Sequence, residues 1–210
     1  MNTTGTKDFT GKLAQIISMI FHPLLIPVYG MAVIFSAPTL FGYLPFPVKK
    51  LLLLIVLINN VILPISLLPF FRYRNIISSW IIIKREERTL PLLVSTILYL
   101  TTSFIIFKFP IPVFLKSFIF AAAFVSIIVT IINLRWKISL HSVGVGSLLA
   151  LVLLLSFKMY TPLLGYLISA VLVAGLVLSS RLRLDSHNPH QVWFGFLTGF
   201  LSLTLFMLFF

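Results

Sequence analysis

Long apolar runs broken by short polar clusters make up nearly the whole chain. A helix needs about 20 mostly apolar residues to cross the roughly 30 Å of hydrocarbon in a bilayer. By that length, the pattern predicts seven helical spans: Leu13–Ser36, Leu51–Phe71, Leu90–Phe107, Leu115–Leu134, Ser139–Phe157, Pro162–Ser179 and Val192–Phe210. His22-Pro23 and Pro27 interrupt the first span, and Asn59-Asn60 and Pro64 the second. Proline lacks a backbone donor and clashes with the preceding turn, so kinks are expected at these points. The connector Arg72–Thr89 holds an apolar patch around Trp80–Ile83 followed by Lys84-Arg85-Glu86-Glu87-Arg88, and reads as a short helix lying at the interface. Other connections are short and no internal repeat is visible, so residues 1–210 read as one transmembrane domain. Leu13–Ser36 exceeds the apolar core of a signal peptide and has no small-x-small cleavage site after it, so it is expected to be an uncleaved span.

Composition agrees with this all-α polytopic bundle. Hydrophobic residues make up 60% of the chain and charged residues 10%, well to the apolar side of a soluble domain. The net charge of +12, from 16 Lys and Arg against 4 Asp and Glu, does not mark a nucleic-acid binder, because the basic residues are scattered between apolar runs. They read as charges at the membrane surface or as ligands for an anion. With no cysteine, a disulfide framework and a thiolate metal site are both excluded.

Three polar groups stand out: Lys84–Arg88, Lys137–His141 and Ser180–Gln191. Two spans separate the first from the second, and two the second from the third. An even number of crossings returns the chain to the same face, so all three can meet. Ser180–Gln191 is the densest, and ionisable residues clustered at a membrane helix end point to a shared function.

The residue types suggest phosphate chemistry. Lys84, Arg85, Arg88, Arg181 and Arg183 supply fixed positive charge, and the planar guanidinium suits phosphate in two-pronged fashion. Ser139 offers a hydroxyl, and the backbone N–H groups that open the fifth span point toward any anion seated there. His141 and His187 add two groups that titrate near neutrality. One imidazole can attack phosphorus while the other protonates the departing alkoxide, without a metal.

These groups resemble the signatures of the type-2 phosphatidic acid phosphatase superfamily, which shows Lys-x6-Arg-Pro, then Pro-Ser-Gly-His, then Ser-Arg-x5-His-x3-Asp. Here the third signature reads Ser180-Arg181, five residues, His187, three residues, Gln191; the second reads Ile138-Ser139-Leu140-His141; the first is Lys84–Arg88 with Pro91 after it. The resemblance implies a six-helix core over Leu51–Phe210, with His187 as nucleophile, His141 as acid, and Lys84, Arg88, Ser139 and Arg181 as phosphate ligands. It also implies no cofactor. Departures from that pattern are visible as well. Gln191 stands where the family keeps an aspartate that orients the nucleophilic histidine and balances its charge, Leu140 replaces a glycine, and Lys84 lies four residues before Arg88 instead of seven. Asp185, Glu86 or Glu87 could supply the missing carboxylate.

Plainer readings apply elsewhere. Lys49, Lys50, Lys108, Lys116 and Lys158 sit at span ends and read as topology anchors. His22, before a proline, reads as a helix-start or packing residue, and Asn59-Asn60 as an interhelical hydrogen-bonding pair. His187 and His190 are three apart, as metal ligands on a helix can be, but Pro189 lies between them and acidic residues are scarce, so no metal is expected. Gly144, Gly146, Gly195 and Gly199 read as helix-packing positions, and Gly195-x3-Gly199 also as a homo-oligomer signal. The motif face carries eleven Lys and Arg against five opposite, which would set it in the cytoplasm were five of the eleven not candidate phosphate ligands.

The expectation is therefore a multi-pass membrane phosphatase, in a bacterial plasma membrane, acting on a phosphorylated lipid or isoprenoid. The alternative is an inactive lipid-phosphate binding or carrier protein with the same basic pocket.

Overall fold

Proline placement sets the irregular points of the bundle. A computed structural model of the chain describes residues 3–80, 82 and 84–210. Helix α1 (Thr3–Ile20) ends before His22-Pro23, a 3₁₀ turn covers Pro23–Leu25, and α2 (Ile26–Ser36) resumes with Pro27 in its first turn. The second span breaks similarly: α3 (Phe46–Leu57) passes through a π-turn, Ile58–Ile62, into α4 (Leu63–Tyr73). Pro64 has no N–H to give to Asn60, and the Leu63 N–H instead reaches five residues back to the Ile58 carbonyl. The remaining helices are α5 (Arg85–Phe107), α6 (Val113–Arg135), α7 (Leu140–Lys158), α8 (Leu164–Arg183) and α9 (Pro189–Phe209). Among the described residues there is no strand, and seven stretches are long and apolar enough to cross a membrane.

Two boundaries differ from the sequence reading in ways that matter. Between Tyr73 and Arg85 no interfacial helix forms among the described residues; Ile81 and Ile83 lie outside them. The segment is held by side chains instead. Arg72 donates to the carbonyls of Ile77 and Ser78, and Ser78 gives both its N–H and its hydroxyl to Glu87 Oε2, at 2.8 and 2.9 Å. Arg85–Arg88 belongs to the first turn of α5, so that span starts five residues earlier than Leu90. Similarly, α8 runs on to Arg183, which puts Ser180 and Arg181 on helix where Ser179 was expected to be the last spanning residue.

Helix α7 is the most enclosed span, packed against α2, α8 and α9. Lipid tails are as apolar as leucine, so tight membrane packing depends on small residues that let backbones approach. A Cβ on Gly146 would stand 2.2 Å from the Phe196 carbonyl oxygen of α9, and one on Gly199 would stand 2.0 Å from that of Val143 on α7. Gly195 faces the Ser139 carbonyl. The Gly195-x3-Gly199 pair is therefore used inside the chain, against α7, and presents no face to a second copy. Gly199→Ala is expected to push α9 from α7 and to cost about 1–3 kcal/mol by overpacking. A thermal midpoint in detergent equal to that of the unsubstituted protein would contradict this close approach.

The amino-terminal span joins the bundle at the face where the three polar groups lie. Helix α1 packs on α8 with Ala14 and Ser18 buried, and Arg183 donates to Thr10 Oγ1 at 3.0 Å. It therefore lies against the helix that carries Arg181.

Candidate functional site

Span counting placed the three polar groups on one face, and there they meet. Arg88 of α5, His141 of α7, Arg181 of α8 and His187 of the α8–α9 loop line one cavity of about 770 Å³. Backbone links hold the second and third groups together. The Ser139 N–H reaches the Gln191 carbonyl at 3.4 Å, and Lys137 Nζ donates to the Ser186 carbonyl at 3.0 Å. Thus the start of α7 is tied to the start of α9.

Two expected ligands, Ser139 and Lys84, stand elsewhere. Ser139 is fully buried as the N-cap of α7, where its Oγ accepts from the Ser142 N–H and, at 2.8 Å, from the Ser142 hydroxyl. A serine just before a helix satisfies one of the orphan donors there, and this role occupies the side chain outside the cavity lining. Lys84 stands at the N-cap position of α5, largely exposed, 3.6 Å from Glu87 Oε1. It too is absent from the lining.

Gln191 has two tasks in one side chain. It is the third residue of α9, in a capping box with Asn188: the Asn188 side chain accepts from the Gln191 N–H at 2.9 Å, and Gln191 Oε1 accepts from the Asn188 N–H at 3.3 Å. The backbone donor fixes which end of the amide is oxygen. That same oxygen lies 3.1 Å from His187 Nδ1. An oxygen only accepts, so Nδ1 carries the proton and Nε2 of the neutral ring keeps its lone pair. This is the tautomer a nucleophilic imidazole needs.

The charge around His187 is one-sided. Burial pushes its pKa down to about 4, and nearby Arg88, Arg181 and Lys137 push in the same direction against the Gln191 hydrogen bond. Lys137 is lowered for the same reasons, burial first and then Arg88 and Arg181. Arg88 spends its Nε on the Ile82 carbonyl, whereas Arg181 Nε is buried with no partner in the protein. No carboxylate is hydrogen-bonded to His187 among the described residues. Glu86 pairs with Arg85, Glu87 with Ser78 and Lys84, and Asp185 sits in a left-handed turn with φ 49° on the exposed side. Cations gathered without acids make a site complementary to an anion.

The amino-terminal span adds Ser18 and His22 to the site. Nε2 of His141 lies 3.0 Å from the Ser18 carbonyl oxygen and so carries the proton there, which leaves Nδ1 as the free nitrogen of the neutral ring. Ser18 Oγ also meets Arg181 Nη1 at 3.4 Å. His22 packs edge-on against His141, with ring centroids 5.6 Å apart, and accepts the Leu24 N–H on Nδ1. Both Ser18 and His22 line the cavity. The signal was present: a histidine inside an apolar span is a functional candidate before it is a packing residue. Among the described residues no three His, Asp or Glu side chains gather as metal ligands do, and His190 is exposed away from the cavity lining.

Comparisons with protein-family models, with curated proteins and with solved structures find no match for this chain. What the site can do therefore rests on its own geometry.

Proposed function

We propose that the chain is a membrane phosphatase that removes phosphate from a lipid or isoprenoid phosphate, in a plasma membrane, through a phosphohistidine intermediate. The observation that supports this most is the combination at His187: a buried ring with Nε2 left free by the Gln191 bond, beside Arg88 and Arg181 in a cavity that His141 also lines. Arg88 and Arg181 hold the phosphoryl oxygens. The Nε2 lone pair of His187 forms a bond to phosphorus as the phosphorus–oxygen bond to the lipid breaks. His141, carrying a second proton on Nδ1, gives it to the departing alkoxide, so the lipid alcohol leaves neutral. Water then attacks the phosphohistidine, loses a proton to His141, and releases inorganic phosphate with His187 restored.

One observation favours a second reading. The partner of His187 is an amide and not a carboxylate, so the imidazolium-like charge of the phosphorylated ring has no negative neighbour. A protein that binds lipid phosphate without turning it over would keep the same cations.

The deciding experiment is phosphate release from a prenyl phosphate by purified protein in detergent containing EDTA. Release is expected with the chelator present, since two histidines and two arginines suffice for the steps above. Tight binding of the phosphate without release would favour the binding protein, and strict dependence on an added divalent ion would overturn the mechanism.

A further inference from the structure

The cavity continues well beyond the histidines. From Arg88 it follows α5 past Pro91 and Ser95 to Tyr99, a helix rise of about 17 Å. Its far walls are Phe118 and Ala122 of α6, Leu148 of α7 and Leu203 of α9. Leu203 lies about 21 Å along α9 from its first residue, and Phe118 is near the opposite end of α6. All lining residues that carry a fixed charge, Arg88 and Arg181, are at the near end. The exposed lining residues Gln15, Met19, His22 and Trp80 mark the mouth, between the last turn of α1 and the segment before α5.

An open site at a helix end would leave the lipid tail in the bilayer. This chamber instead offers the tail a place inside the protein. Its volume of about 770 Å³ is within the range of roughly 300–1,000 Å³ that encloses one compact ligand. From Arg88 to Tyr99 the lining runs about 17 Å along α5, long enough to take a lipid chain lengthwise. The basic end and the apolar shaft are continuous, so head and chain of one molecule are recognised together.

Resting on the phosphatase reading for the identity of the head group, we propose that the ligand is a single-chain lipid phosphate, such as a prenyl monophosphate, whose chain is drawn into this internal shaft. A volume suited to one compact ligand does not accommodate the second chain of a phosphatidate. Ala122, on the α6 wall, is the position at which a larger side chain blocks the shaft without touching the basic end.

The test measures binding and not turnover, so that a failure of the phosphatase reading is seen separately as absent phosphate release. Affinities of inorganic phosphate, farnesyl phosphate and dioleoyl phosphatidate are compared in detergent for the unsubstituted protein, Ala122→Trp, Ile131→Trp and Val125→Phe, Val125 lining the same α6 wall three residues on from Ala122. Ile131 is 60% exposed on the outer side of α6 and serves as control. Farnesyl phosphate is expected to bind at least tenfold more tightly than inorganic phosphate, and phosphatidate no better than inorganic phosphate. Ala122→Trp and Val125→Phe are expected to abolish the farnesyl advantage while inorganic phosphate still binds, which also shows that the variants are folded. Ile131→Trp should change neither. A farnesyl advantage that survives both shaft variants, or that phosphatidate shares, would overturn the internal chamber. If Ala122→Trp no longer binds inorganic phosphate, Val125→Phe decides alone.

Discussion

Replacing His187 with alanine is expected to lower phosphate release by about 10³-fold or more, because a covalent nucleophile cannot be supplied by its neighbours. The same change should leave inorganic phosphate bound, since Arg88 and Arg181 remain in the cavity. His187 is buried at 7% exposure, so alanine also leaves a hole, and a comparison of thermal midpoints is needed to separate lost chemistry from lost structure. His187→Asn fills most of that hole and can still donate to Gln191, yet it has no nucleophilic ring nitrogen, so it should be as inactive as alanine. Rapid quenching should trap phosphate on the unsubstituted protein in an acid-labile, base-stable bond and trap none on either variant. Turnover that persists at an unchanged rate in His187→Ala would remove the proposed nucleophile.

The parts of this arrangement legible in the sequence are those governed by length and parity. Apolar run lengths gave the spans, and the even number of crossings between Lys84–Arg88, Lys137–His141 and Ser180–Gln191 brought Arg88, His141, Arg181 and His187 to one cavity. Individual side-chain roles were legible only where local chemistry is decisive. Ser139 could have been assigned to capping, because a serine preceding an apolar helix satisfies a backbone donor more often than it binds a ligand. By contrast, nothing in the pattern near Leu13–Ser36 specifies that the Ser18 carbonyl meets His141, a contact across 123 positions that depends on how α1 lies on α8. The shaft is further from reach still. It is a space left between α5, α6, α7 and α9, and apolar residues that line a void look the same in sequence as those that fill a core.

Gln191 is where a single side chain separates the enzymatic from the binding reading, and its geometry selects the substitution to make. Placing an aspartate there would match the signature that the third polar group resembles, but Gln191 also closes the capping box of α9 through Oε1. Aspartate is one methylene shorter and withdraws its oxygens from the Asn188 N–H and from His187 Nδ1. Glutamate has the reach of glutamine, keeps the cap, and adds the missing charge. Arg88, Arg181 and Lys137, whose positive charge already bears on His187, compensate the burial of that charge. Gln191→Glu is therefore expected to raise the pKa of His187 from about 4 toward neutrality, since an adjacent negative charge favours the protonated ring. Labelled-histidine NMR of the protein without ligand reads this midpoint directly. Above the raised midpoint the ring is still neutral and nucleophilic, and its positive charge after phosphorylation is now stabilised, so phosphate release at pH 8 should rise about tenfold or more. Gln191→Asp should raise it less and lower the thermal midpoint through the weakened cap. If the protein only binds lipid phosphate, Gln191→Glu will instead weaken phosphate binding through charge repulsion and release none. An unchanged His187 midpoint in Gln191→Glu would contradict the hydrogen bond on which the tautomer assignment depends.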